Sequence, residues 1–260
     1  MPRGDVAVII PAWNEAERIT ATVRAASKLA GADLLVVVDD GSADDTADRA
    51  AAAGAVVVRH ARNRGKAAAM ETGAETVRLI EAGQVDAVTA ESGATVKRHL
   101  LFLDADLADS AAEAGPLVAP VRVGAADMTI AVLTTRVRKG GFGVVVAAAG
   151  VGTDRAIGWH PAQPLNGMRC LTRAAFAAAL PLAPGWGAET GMTIDLARQG
   201  MRITQVEVPL SHRPTGNDWR AQLHRLHQLV DVTRALAVRE PALIRVRTWP
   251  RARLTRLTGR

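Results

Sequence analysis

Cysteine is almost missing from this chain: Cys170 stands alone in 260 residues. An internal disulfide is therefore impossible, and a reducing, cytoplasmic setting is expected. Long apolar runs are missing too. The longest tempting one, Val144 to Val151, falls far short of the 18 or so residues of a spanning helix. The opening MPRGDVAVII has no long apolar core of the kind a secretory leader carries, so none is expected. Tyrosine is absent, and nothing functional follows from that. Excess charge is missing from the body. The net charge is +6, and residues 239–260 hold seven arginines against one glutamate, so the tail carries all of it. A body of zero net charge does not read as a nucleic-acid binder.

What is present suits one large α/β domain over residues 1–238, followed by a basic tail over 239–260. Apolar residues make up 48% of the chain, enough for a substantial core. Short apolar runs at Val6 to Ile10, Leu34 to Val38, Val56 to Val58, Leu100 to Leu103 and Met128 to Val132 read as buried strands. Between them lie helical patterns: one opened by Asn14 or Glu15 with Ile19, Val23, Ala26 and Ala30 on one face, one from Asp44 or Asp45 to a cap at Gly54, and one after Asn63-Arg64-Gly65-Lys66 to about Ala82. Further helices are expected over Arg173 to Leu180, Glu189 to Arg198 and Asn217 to Arg239, with an alternating strand from Arg202 to Val208. Gln84 to Lys97, Arg136 to Gly143 and Gln163 to Gly167 read as loops. Alternation at this spacing predicts a doubly wound, mostly parallel sheet.

The polar residues gather where such strands end. Asp104-Ala105-Asp106 follows four apolar residues directly, and two carboxylates there are too costly to bury unpaired. At a strand's carboxyl end they face the crevice where open α/β sheets bind ligands, and residues two apart share a face. Hard oxygen ligands of this kind suit Mg²⁺ or Mn²⁺ bridged to phosphate. Two solvated turn aspartates are the alternative, and D-x-D alone is too short to choose. Pro11 to Glu15 and Asp39 to Ser42 stand at two other strand ends, with the basic turn Arg64 to Lys66 beside them. Gly140-Gly141-Phe142-Gly143 is not a dinucleotide fingerprint, and Arg64-Gly65-Lys66 lacks the upstream glycine of a phosphate-binding P-loop.

The set VIIPAWNEAERI, VVVDDGSADDT, NRGKAAAM and LLFLDADL, in this order and spacing, resembles the family-2 glycosyltransferases and their relatives with the GT-A fold. The second half, with QPLNGMRCLTRAAF, PGWGAETGMTIDLARQG and VEVPLSHRP, is similar to glucosyl-3-phosphoglycerate synthases and more loosely to polyprenyl-phosphate sugar synthases. The resemblance divides the domain into a donor half, 1–107, and an acceptor half, 108–238. It implies a metal-dependent transfer of sugar from a UDP- or GDP-linked donor. Pro11, Ala12, Glu15 and Ser42 would line the nucleotide pocket. Asp40 would accept from a base imide N–H, Lys66 would bond a base carbonyl, and Asp104 and Ala105 would hold the ribose side. Asp106 and His212 would hold the metal, Mg²⁺ or Mn²⁺. Glu189 would act in catalysis, as the base toward an acceptor hydroxyl or as the group holding sugar or acceptor; a carboxylate steadying a helix N-terminus is the alternative.

Lys139, Gly140, Asn166, Gly167 and Trp186 would meet the acceptor. A small soluble acceptor, phosphoglycerate-like, is the expectation. A polyprenyl-phosphate acceptor used at the inner membrane surface, with the basic tail as a peripheral contact, is the runner-up. A non-catalytic nucleotide-sugar-binding protein is a further alternative. A second copy of the chain is a further expected partner.

Overall fold

A computed structural model describes residues 4–84, 97–134, 143–211, 219–239 and 256–257. The apolar runs form strands β1 (Val6–Ala12), β2 (Ala32–Asp39), β3 (Val56–Arg59), β4 (His99–Phe102) and β5 (Met128–Leu133), joined by β6 (Arg169–Leu171), β7 (Ile203–Val208) and β8 (Arg256–Leu257). They make one eight-stranded sheet in the order β3-β2-β1-β4-β6-β5-β7-β8. The first four strands are mutually parallel, as right-handed strand–helix–strand units require. The short β6 runs antiparallel to both neighbours, β4 and β5, and is the seam between the two halves. The sheet is thus α/β and mixed, parallel except at this seam.

Strand β1 continues through Pro11, where the apolar run alone suggests a stop. The carbonyl of Ile9 accepts from the amide of Leu103, so alternate residues of β1 face β4. Pro11 is the next of these, and β4 has ended by then; its missing N–H breaks no ladder bond.

Helices cover both faces. On one side α1 (Ile19–Ala26), α2 (Thr46–Ala52) and α4 (Gly115–Arg122) pack on Val6, Val8 and Ile10. On the other, α3 (Lys66–Glu81), α6 (Arg173–Ala178) and α7 (Ala188–Arg198) pack on Ala7, Ile9 and Phe102. Each fully buried Ile, Leu or Phe here contributes about 1.5–3 kcal/mol. The first helix starts at Ile19 rather than at Asn14 or Glu15, because residues 15–18 form a tight turn closed by Arg18 and Ile19 amides on the Glu15 carbonyl.

Two helices escape the sequence patterns. Helix α4 carries two prolines, but Pro116 stands in its first turn, where no amide donor is needed. Helix α5 (Gly143–Ile157) is rich in valine and glycine, poor formers in isolation. Its glycines are used for close approach. A Cβ on Gly152 would lie 2.4 Å from Leu236, on α8 (Trp219–Arg239), and one on Gly150 2.6 Å from the His160 ring. Tertiary packing outweighs propensity there. Of the expected loops Gln84 to Lys97 and Arg136 to Gly143, residues 85–96 and 136–142 lie outside the described residues, and Gly143 opens α5 instead.

Candidate functional site

The carboxyl ends of β1, β2 and β4 and the start of α3 open onto one crevice. Its first wall is the turn after β1. Asn14 adopts a left-handed φ of 54°. Its amide donates to Ser42 Oγ at 2.9 Å, and its Oδ1 accepts from the Ala43 amide at 2.9 Å. The Glu15 amide donates to Thr46 Oγ1 at 2.8 Å. Pro11 to Glu15 is thereby strapped to the loop after β2, with Ser42 as one of the bridging hydroxyls. Trp13 stands at the rim, 53% exposed.

The second wall is Asp39-Asp40-Gly41. Asp39 accepts from the Ser42 amide at 3.0 Å and pairs with Arg59 at 3.1 Å. Gly41 has φ +74°, and a Cβ there would sit 2.5 Å from the backbone of Arg62, so only glycine fits. Asp40 is buried and accepts three bonds: from Arg64 N at 2.8 Å, from Gly65 N at 2.7 Å, and from His60 Nδ1 at 2.6 Å. His60 is held on its far side by Thr72 Oγ1 at 2.9 Å. Asp40 therefore pins the loop that launches α3, and these three bonds take up three of the roughly four acceptor positions of a carboxylate.

That launch places Lys66. Its Nζ lies 2.6 Å from Asp104 Oδ1 and 3.1 Å from Glu189 Oε1. Burial pulls the amine's pKa down, but the two carboxylates outweigh it and hold it above the ordinary lysine value. The ammonium stands between these two carboxylates because the start of α3 faces the end of β4 and the start of α7 together. Gly167 closes over this pair: a Cβ there would lie 2.0 Å from Nζ.

Asp104 and Asp106 are half-buried, with Ala105 buried between them. The turn that carries them is clamped from α1. Thr22, fully buried, donates to the Ala105 carbonyl at 2.8 Å and accepts from the Ala108 amide at 2.8 Å. Ala108 has a left-handed φ of 48°, and Arg18 donates to the Asp106 carbonyl at 3.3 Å. Among the described residues no group of three or more His, Cys, Asp or Glu side chains could hold a metal ion by themselves. His212, expected to complete such a site, lies outside the described residues, as do Lys139 and Gly140.

Glu189 sits in the first turn of α7, 1% exposed, and its Oε2 has no hydrogen-bond partner. Beneath it lies Arg169, also fully buried, on the seam strand β6. Trp186 packs beside the cluster formed by Val145, Ala149 and Val232, with its amide 3.3 Å from Asp231. Asn166 is turned inward. Its Nδ2 donates to the Ala131 carbonyl at 3.0 Å and its Oδ1 accepts from Met168 N at 2.9 Å, which fastens the 163–168 loop to β5. Of the residues expected at the acceptor, the structure thus brings Gly167 to the carboxylates and gives the Asn166 amide a role in building the loop. Thr22, His60 and Arg169 carry no local pattern that marks them. Only the placement of His60 just after β3 hints at a crevice.

The family model described as glycosyl transferase family 2 matches residues 7–79. The chain is 29% identical over 224 residues to glycosyltransferase AglJ of Haloferax volcanii, covering 84% of this chain and 67% of that protein. It is 28% identical over 206 residues to glucosyl-3-phosphoglycerate synthase of Mycobacterium tuberculosis, covering 73% of this chain and 60% of that enzyme. The chain thus spans about three-fifths of the length of that synthase. Crystal structures of the same enzyme superpose with a TM-score of 0.67 in complex with Mg²⁺ and UDP, at 26% identity over 92% of this chain and 79% of that one. In complex with Mn²⁺, UDP-glucose and phosphoglyceric acid the TM-score is also 0.67, at 27% identity over 92% and 80% of the two chains. The chain has a GT-A glycosyltransferase fold similar to the glucosyl-3-phosphoglycerate synthases.

Proposed function

We propose that this chain, a glycosyltransferase by its fold and its relatives, moves a sugar from a UDP- or GDP-linked donor to a small soluble acceptor resembling phosphoglycerate. One observation carries the reading. A single ammonium, Lys66, joins the strand-end carboxylate Asp104 of the donor half to the helix-start carboxylate Glu189 of the acceptor half, at 2.6 and 3.1 Å. Groups suited to a nucleotide diphosphate and to an acceptor thus stand within one side chain's reach.

In this reading Pro11, Ala12, Glu15 and Ser42 line the nucleotide pocket, and the remaining lone pair of Asp40 takes the base. Asp104 and Ala105 hold the ribose side. The residues present fit a bound Mg²⁺ or Mn²⁺, since such ions take hard oxygen ligands and need only one or two protein carboxylates beside phosphate. Asp106 would hold the ion, with His212 as its second protein ligand. When bound, it would neutralise charge on the leaving diphosphate. Glu189 orients the acceptor or takes the proton of its hydroxyl, at a position shielded from water by α7. Residues 1–238 act as the transferring unit, with Gly167 and Trp186 on the acceptor side.

The test is donor hydrolysis and transfer with a panel of nucleotide sugars, Mn²⁺ or Mg²⁺, and phosphoglycerate. Wild-type chain turns over, while Asp106→Ala loses both turnover and metal-dependent donor binding. Undiminished activity of Asp106→Ala, or of wild type in excess chelator, refutes the metal assignment. Tight donor binding with no turnover on any acceptor identifies a binding protein instead.

A further inference from the structure

Arg169 is the largest fully buried side chain among the described residues. It stands on β6, directly across from Phe102 of β4 and Ile130 of β5, where a sheet core calls for an apolar residue. Taking a guanidinium out of water costs several kcal/mol, recovered only through good geometry and compensating charge. The geometry is specific. One terminal nitrogen donates to the backbone carbonyl of Glu189 at 3.2 Å and touches Met192 Sδ at 3.7 Å, both in α7. The other donates to the carbonyl of Asn166, at the bend of the 163–168 loop. Its Nε has no partner. Burial draws the pKa of Arg169 down, and the charges of Glu189 and Asp104 act against it. With no exposed surface, it reaches nothing in the crevice except through these neighbours.

We infer that Arg169 is the positioning residue of Glu189: its guanidinium ties the first turn of α7 to the 163–168 loop and supplies buried positive charge under a carboxylate that has no hydrogen-bond donor of its own on Oε2. Two cations, Arg169 from below and Lys66 from the crevice side, therefore fix where Glu189 stands relative to Asp104. A leucine or methionine in place of Arg169 fills the core equally well but leaves the helix start untied and the carboxylate with Lys66 alone of the two cations. The inference rests on the transfer reading of the crevice for its catalytic consequence, and on the buried contacts alone for the link itself.

A double-mutant cycle with Arg169→Met and Glu189→Gln tests it, read in two ways. Displacing a catalytic group by about 1 Å can cost on the order of 100-fold. Arg169→Met is accordingly expected to lower kcat by about that factor while leaving the donor KM near wild type. In the Glu189→Gln background the same change has no further effect on kcat, because the group it positions is already disabled. Arg169→Lys keeps the charge, loses the fork and falls between. The second reading is thermal unfolding of the four chains without ligand. Arg169→Met lowers Tm, and adding Glu189→Gln restores part of the loss by removing a buried charge that has lost one of its two cations.

Multiplying losses in kcat and additive losses in Tm overturn the inference. Should Arg169→Met fail to fold, Arg169→Lys carries the same cycle. A wild-type chain that transfers no sugar defeats the transfer reading, and the Tm coupling then still decides whether Arg169 acts through Glu189.

Discussion

Replacing Thr22 by valine removes one hydroxyl and almost no volume, so it isolates the clamp on the Asp104–Asp106 turn from any effect of a cavity. Two backbone groups lose their partner at once: the buried Ala105 carbonyl and the half-buried Ala108 amide, each held at 2.8 Å. An orphaned buried polar group costs about 1–3 kcal/mol, so about 3 kcal/mol in total is a moderate expectation. For a chain of this size that lowers Tm by about 6–12 °C. The loss reaches further than stability. Ala108 sits in the left-handed region, a conformation that costs an L-residue roughly 1–2 kcal/mol and needs an anchor. Without the hydroxyl the turn relaxes toward right-handed geometry and swings the Asp106 carbonyl away from Arg18. Calorimetric titration of UDP with Mn²⁺ should then show weaker binding in Thr22→Val and near-normal binding in Thr22→Ser, which keeps the oxygen. A Thr22→Val chain with unchanged Tm and unchanged nucleotide affinity would refute the clamp.

Gly167→Ala should displace Lys66, since the new methyl would fall 2.0 Å from Nζ and 3.0 Å from Asp104 Oδ1; transfer drops sharply, with a smaller fall in Tm, and equal activity would show that the ion pair is dispensable. The Arg122 hydrogen bond holds the Asp5 carboxyl below the usual carboxylate range. A depressed folded-state pKa contributes stability above the unfolded value, about 3.9, that is lost as pH falls through the folded one. The Tm of Arg122→Ala should lie below wild type at pH 7 and converge with it in acid. Burial pushes the Cys170 thiol up to about 12, so a disulfide reagent at mildly alkaline pH should leave the folded chain unlabelled and label it once after denaturant; rapid labelling of the folded chain would place the thiol at the surface.

The gathering of polar residues at the strand ends was legible in the sequence because its signals are local. A short apolar strand that ends abruptly in carboxylates or in Pro-Ala-Trp-Asn-Glu has little choice of where to put them, and parallel strands linked by helices bring their carboxyl ends to one edge. Asp40, Ser42, Asp104 and Asp106 follow from that alone. Chain order says nothing, however, about which of those groups pair with one another. Thr22 looks like one more helix residue until α1 packs on the D-x-D turn and puts its hydroxyl against backbone 83 and 86 residues away. Strand β6 spans three residues, too few to show a period, so the antiparallel seam and the arginine on it stayed hidden. That Lys66 pairs with Glu189 shows only once the fold sets α7 beside α3. Local pattern determines which residues must reach water at a strand end; only the packing of distant elements, with the cost of burying a charge unpaired, decides which partner each of them takes.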